Sequence, residues 1–286
     1  RFKKWSQMRG FSAEITNFAT IISELMEKVR PKKALGQHFL TDESVAARIA
    51  ATIDCDPALA VVEVGPGMGM LTKYLLEAGR DVTVIELDDE SVDYLRQNYP
   101  ALDGRIVEGD FLQLDLSRFA GADGHLCVIG NYPYNISSQI FFHILEYKDN
   151  VTLCSGMLQR EVAERIAARE GSRTRGILSV LLQAWYDIEY LFTVSEGVFN
   201  PPPKVKSGVI RLRRNGVTSL GCDERLFKTV VKTTFGQRRK TIRNSLRPLL
   251  PPGAAIPEHE LLALRPEQLT VAQFIELTNL LSSLRQ

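Results

Sequence analysis

The chain has little of what several large functional classes require. Its four cysteines, Cys55, Cys127, Cys154 and Cys222, stand far apart. With no C-x-x-C pair and no histidine at ligand spacing, they indicate reduced structural thiols rather than a disulfide framework or a zinc site. No apolar run approaches the roughly 20 residues that a bilayer-crossing helix needs. The N-terminal stretch has neither the continuous apolar core nor the small-residue cleavage site of a signal peptide. Internal repeats and low-complexity tracts are missing as well. These absences lead to the expectation of a cytoplasmic protein with no metal and no membrane partner.

Net charge is also scant, at +1 over 286 residues, but it is unevenly spread. From Arg225 to Pro257 eight basic residues occur without one acid, so subtracting eight from +1 leaves about −7 on the remainder. Within that segment Arg239, Arg243 and Arg247 recur every four residues, and Ile242, Leu246 and Leu250 do so on the adjoining face. The pattern predicts a helix packed on one side and basic on the other. Such a face is often merely solvated. The lack of partner acids, with Gln237, Arg238 and Lys240 at the helix start, favours a surface that tracks phosphates.

The informative residues come as an ordered series. Ala60 to Val64 reads as a buried strand, followed by the turn Gly65-Pro66-Gly67-Met68-Gly69 and a helix from Met70 to Ala78. Glycines serve where backbone approaches a ligand closely, and the helix start supplies free N–H groups. A dinucleotide fingerprint needs its third glycine five residues after the first, and Met70 holds that position, or Thr72 if the count starts at Gly67. A G-x-G-x-G turn with Glu63 just ahead suits instead a nucleoside cofactor without phosphates, chiefly S-adenosylmethionine (SAM). Three further strands follow. Asp81 to Ile85 ends in Glu86, placed to take ribose hydroxyls; Arg105 to Glu108 ends in Gly109-Asp110, where a carboxylate can accept from an adenine amine; His125 to Gly130 ends in Asn131-Tyr132-Pro133-Tyr134. Polar residues thus fall at successive strand ends, the edge at which open α/β sheets bind ligands.

The Asn131 to Tyr134 segment suits a grip on the exocyclic amine of a planar base. An Asn carbonyl accepts one amine hydrogen, a neighbouring backbone carbonyl the other, Pro133 fixes the turn and Tyr134 offers a ring to stack on. Further on, Val151 to Met157 reads as a fifth strand, Gln159 to Glu170 as a charged amphipathic helix, and Tyr186 to Val194 with Ser207 to Arg213 as a closing strand pair around Pro201-Pro202-Pro203. After Asn215 the pattern is helical to the end.

From Arg30 onward the chain resembles the KsgA (RsmA) family. The motifs that carry the likeness are Pro31 to Leu40 (PKKALGQHFL), Val62 to Gly67, Val84 to Asp88, Asn131 to Ser137 (NYPYNIS), Val198 to Val205 (VFNPPPKV) and Phe235 to Lys240 (FGQRRK). Two positions depart from the family pattern: Tyr132 stands where Leu is usual, and His38 where Asn is frequent. The resemblance implies an α/β, Rossmann-like class I SAM-dependent methyltransferase domain over residues 26–214 and a small all-helical RNA-binding domain over 215–286. It implies dimethylation of two adjacent adenosines in the 3′-terminal hairpin of small-subunit rRNA, with the immature small ribosomal subunit as partner and a monomeric state. By the same likeness His38, Leu40, Gly65, Gly67, Glu86, Asp110 and Asn131 contact the cofactor, Asn131 and Tyr134 are catalytic, Phe199 at the mouth of the site sandwiches the target base, and Arg238, Arg239, Lys240 and Arg243 meet RNA. Arg1 is no start methionine, and residues 1–25 match no part of the family; Met26 is the expected natural start, with an appended helix as the alternative.

Three other functions stay in view. An Erm-like methylase of large-subunit RNA shares the amine grip, but Pro201 to Val205 and Phe235 to Arg239 favour KsgA. A binding protein that inspects ribosome assembly would not need a complete site. A nicotinamide dehydrogenase is opposed by Met70.

Overall fold

The computed structural model describes residues 29–250 and 258–285. The expected start at Met26, the preceding 25 residues and the last part of the basic segment lie outside the described residues.

The described chain opens with a two-residue strand, β1 (Phe39–Leu40), and helix α1 (Glu43–Ala50). Asp42 caps α1 by accepting from the backbone N–H of Ser44 and Val45, as a short carboxylate at an N-cap does. Two βα steps follow, β2 (Ala60–Val64) with α2 (Met70–Glu77) and β3 (Val82–Glu86) with α3 (Asp89–Asn98), and then β4 (Ile106–Glu108). Asp88 caps α3, and Asp89 and Glu90 place negative charge in its first turn. Next come β5 (Leu126–Asn131), α4 (Ser137–Glu146), β6 (Val151–Gln159), α5 (Arg160–Ala167) and α6 (Ile177–Gln183). Strands β7 (Tyr186–Val194), β8 (Phe199–Asn200) and β9 (Ser207–Arg214) close this part. Helices α7 (Glu224–Gly236), α8 (Ile242–Ser245) and α9 (Val271–Ser283) complete the order among the described residues.

Seven strands form one sheet in the order β4-β3-β2-β5-β6-β9-β7, parallel up to β6, with β9 antiparallel between β6 and β7. The order reverses between β2 and β5, so a crevice opens there at the carboxyl ends of the strands. β2 and β5 are buried on both faces, which is why they read as continuous apolar runs rather than alternating ones. A second, two-stranded sheet pairs β1 with β8, Phe39 opposite Asn200 and Leu40 opposite Phe199. This ties the segment before α1 to the proline loop some 160 residues later.

The strand expectations hold closely: the predicted pair Tyr186 to Val194 and Ser207 to Arg213 is β7 and β9. The long basic helix does not form. Helix α7 stops at Gly236, residues 237–241 turn, and only the four-residue α8 and a 3-10 turn, Arg247–Leu249, follow. The Ile242 N–H, which a continuous helix would direct to residue 238, donates instead to the carbonyl of Leu264 at 2.8 Å. Gly236 and Pro248 weaken the helical alternative further. The packed side of the expectation survives, since Ile242 and Leu246 are both buried. These C-terminal helices share one apolar cluster with the sheet, Phe227, Val230 and Phe274 lying in it with Leu178 and Leu181 of α6. The core therefore runs on past the end of β9 at Arg214.

Candidate active site

A cavity of about 600 Å³ lies at the crevice between β2 and β5, a size ordinary for a ligand pocket. His38, Leu40, Gly65, Gly67, Glu86, Asp110, Asn131 and Tyr134 all line it. Residues spread over nearly 100 positions meet here because the parallel strands deliver their last residues to one edge, where β1, paired with β8, brings His38 and Leu40.

The glycine turn forms the floor. Gly67 has φ +55° and lies against the Phe39 ring; a Cβ there would stand 2.9 Å from Cε1 of that ring, so no other residue fits. The Gly67 N–H donates to Oε2 of Glu86 at 2.9 Å, while Oε1 accepts from Leu87 and Asp88 N–H at 2.8 and 2.9 Å. Three backbone donors thus fix this carboxylate; Oε1 already accepts two of them, and Oε2, with one, keeps a lone pair for a hydroxyl. Burial raises the Glu86 pKa, and the three N–H groups oppose that rise. Asp110 holds the Leu112 N–H at 2.9 Å through Oδ1. Beneath the turn, Glu63 is buried and accepts from Thr72 Oγ1 at 2.7 Å. Burial pushes its pKa up to about 8 against the Thr72 bond, with the Glu86 charge adding to the rise.

The amine grip is assembled by long-range contacts. Asn131 Nδ2 donates to the backbone carbonyl of His38 at 3.0 Å, which orients the amide and leaves Oδ1 as the acceptor. Tyr132 is buried, its N–H donating to the Met157 carbonyl at 2.8 Å and its hydroxyl to the Ser155 carbonyl at 2.7 Å. Its own carbonyl accepts no backbone hydrogen bond among the described residues. The phenol thus fills space beside Gly130 and Gly156, where a Cβ would come within 3.1 and 2.6 Å of its ring. Leu in this place would leave the Ser155 contact unmade; Tyr132 therefore acts as a tie through its side chain. Tyr134 is held by a hydroxyl contact to Ser207 Oγ, and the His38 ring lies 5.3 Å from its ring centre. His38 Nδ1 is 2.8 Å from the Pro201 carbonyl, so the nitrogen carries its proton there. In place of an amide, this imidazole joins Tyr134 and the proline loop, while the His38 backbone carbonyl takes Asn131.

Phe199 is not in the cavity wall. It is 4% exposed, packed in the apolar cluster with Leu40, Ile49, Met157 and Val209. Pairing of β8 with β1 turns its ring inward, which corrects its expected place at the mouth. Arg238, Arg239, Lys240 and Arg243 also lie away from the cavity, on the turn after α7 and on α8. Arg239 and Lys240 are exposed, and Arg238 donates to the Arg173 carbonyl at 2.8 Å. Among the described residues no carboxylate is ion-paired with any of the four. No residue pattern along the chain signals the Glu63–Thr72 pair or the Lys32–Asp88 ion pair beside the cavity.

The residues fit S-adenosylmethionine. Carboxylates at the ends of β3 and β4 can accept from ribose and amine donors, and Lys73, the only lysine or arginine in the wall among the described residues, is occupied by Glu43 at 3.2 Å. A diphosphate would find no free cation among the lining residues, whereas a cationic nucleoside finds acceptors.

Comparison with known proteins agrees with this chemistry. A family model described as ribosomal RNA adenine dimethylase matches residues 28–283. The ribosomal RNA small subunit methyltransferase A of Parabacteroides distasonis is 66% identical over 255 residues, covering 88% of this chain and 94% of that protein. Its Flavobacterium johnsoniae counterpart is 55% identical over 253 residues, covering 88% of this chain and 96% of that protein. Among solved structures, the 23S rRNA methyltransferase ErmE superposes with a TM-score of 0.62 at 28% identity, covering 84% of this chain and 99% of its own. A dimethyladenosine transferase from Plasmodium falciparum gives 0.70 at 20% identity over 84% of this chain and 96% of its own, a likeness of fold. The chain belongs to the ribosomal RNA adenine dimethylase family, enzymes that methylate ribosomal RNA with S-adenosylmethionine on a Rossmann-like α/β fold.

Proposed function

We propose that this enzyme dimethylates two adjacent adenosines in the 3′-terminal hairpin of small-subunit rRNA during maturation of the small ribosomal subunit, acting as a cytoplasmic monomer. The carrying observation is the Asn131 amide, turned by the His38 carbonyl so that Oδ1 is left to accept beside the free Tyr132 carbonyl.

An adenine amine is a weak nucleophile because its lone pair is drawn into the ring. Asn131 Oδ1 and the Tyr132 carbonyl, each accepting one amine hydrogen, favour a more tetrahedral nitrogen and aim its lone pair. Tyr134, braced by Ser207 and His38, sets the plane of the base. Glu86 and Asp110 would hold the ribose and adenine ends of the cofactor. When bound, S-adenosylmethionine supplies an electrophilic methyl group on a sulfonium. No general base is needed, since the nitrogen sheds its proton to water after transfer. The target base must leave its stack, at a cost of about a few kcal/mol that is smaller in a hairpin loop than in a duplex.

Residues 26–214 form the catalytic part in this reading and 215–286 the RNA-binding part, with Arg238, Arg239, Lys240 and Arg243 on the phosphate backbone. Incubation of the enzyme with labelled SAM and immature small subunits, followed by mapping of the modified nucleotides, tests it. Paired dimethyladenosines in the 3′-terminal hairpin are expected. Modification confined to large-subunit RNA would support the Erm-like alternative that the likeness to ErmE keeps open.

A further inference from the structure

At the far side of the glycine turn stands a tyrosine that no part of the amine grip uses. Tyr99 closes helix α3, its N–H bonded to the Leu95 carbonyl at 2.9 Å. Its side chain crosses to the turn, where the hydroxyl lies 2.9 Å from the Gly69 carbonyl and 3.3 Å from that of Met68. Both partners are acceptors, so the phenol donates. Burial raises its pKa, which keeps the proton in place. The ring sits flush on Gly69: a Cβ there would stand 2.5 Å from Cε2 and Cζ and 2.7 Å from the hydroxyl oxygen. Gly69 has φ +78° and is the N-cap of α2, so its conformation sets where that helix begins. Tyr99, Gly67, Met68 and Met70 all belong to the cavity wall.

Gly65, Gly67 and Gly69 all have positive φ, and a segment of this kind loses much conformational freedom when it is held in one shape. Something must offset that loss before a ligand arrives, or the ligand will bear the cost. Inside the turn the Gly69 N–H donates to the Pro66 carbonyl at 2.9 Å, and the Gly69 carbonyl accepts from Lys73 N–H at 3.0 Å. The phenol adds a tie from a different element. We infer that Tyr99 is a positioning residue for cofactor binding, holding the glycine turn and the start of α2 in the shape that receives S-adenosylmethionine. This inference rests on the reading of the cavity as the cofactor site.

Tyr99→Phe tests it, because the ring packing stays and only the donor is lost. The full-length wild type and variant would be titrated by calorimetry with S-adenosylmethionine and, separately, with S-adenosylhomocysteine. The expected result is about a three- to tenfold rise in Kd for both ligands, the effect of one neutral hydrogen bond. In steady-state assays the same factor should fall on KM for the cofactor rather than on kcat, with KM for RNA unmoved. Unchanged Kd in the variant would overturn the inference, and so would a lower Tm with affinity retained, since the phenol would then serve the fold alone. If the wild type bound neither ligand, the reading of the cavity would fail together with the inference.

Discussion

The side-chain amide of Asn131, at the end of the fourth parallel strand, donates to the backbone carbonyl of His38, ninety-three residues earlier in the chain, at 3.0 Å. That bond decides which end of the amide is left for a substrate. An aspartate in this place has no hydrogen to give and would face the His38 carbonyl with like partial charge.

Asn131→Asp is therefore expected to lose methyl transfer as severely as Asn131→Ala, by about 10²- to 10³-fold in kcat, the scale seen when a positioned polar group is removed from a reaction centre. Cofactor binding should remain measurable in the alanine variant. Single-turnover methylation beside calorimetric titration checks both parts, and full activity in either variant would refute the role.

Tyr134 offers a separation of ring from hydroxyl. Tyr134→Phe loses only the contact to Ser207 and should keep most of the activity. Tyr134→Ala loses the stacking surface, about 1–3 kcal/mol per base, or roughly five- to 150-fold in kcat/KM for RNA. Equal losses in the two variants, measured with the same RNA, would show that the hydroxyl matters more than the ring.

Glu63 gives the protein a pH dependence of stability that can be removed. Its pKa is about 8 when folded, against an ordinary value of 4.5, so as pH rises the unfolded chain releases the proton first. The group's contribution is fully present below about pH 4.5, is lost progressively as pH climbs toward 8, and amounts to roughly 3 kcal/mol between pH 4.5 and 7. Glu63→Gln keeps the shape and an acceptor for Thr72. It should gain Tm relative to the wild type as pH goes from 5 to 8. Parallel Tm curves for the two proteins over that range would contradict the assignment.

The basic turn after α7 predicts a salt effect. Arg239 and Arg243, with no partner acid among the described residues, are placed to release counterions from an RNA backbone. The double reversal Arg239→Glu, Arg243→Glu should weaken RNA binding and lower the slope of log Kd against log salt by about one to two. A titration series between low and moderate salt measures it, and an unaltered slope would place the RNA elsewhere.

Much of the site could be read along the chain. Glu86, Asp110 and Asn131 announced themselves because parallel strands bring their carboxyl ends to one edge, so residues that follow apolar runs must come together. Met70 and Thr72 likewise excluded a diphosphate loop by spacing alone. Periodicity failed at Arg239, Arg243 and Arg247, where a four-residue repeat is compatible with a helix but does not compel one; the Leu264 carbonyl offered the Ile242 N–H a better partner. The expected place of Phe199, taken from the proline loop and the family likeness, failed because nothing local reveals that two residues will pair with Phe39 and Leu40 across the molecule.

The sequence by itself determined the strand order's raw material and the identity of the polar groups at the sheet's rim, since these depend on residue type and short spacing. Tertiary structure alone decided which way the Asn131 amide faces, that Glu63 is buried under the turn with a raised pKa, and that Tyr99 reaches back to Gly69. Those outcomes depend on contacts between segments from nine to more than ninety residues apart. Such contacts are made only when the whole core has packed, and no local propensity encodes them.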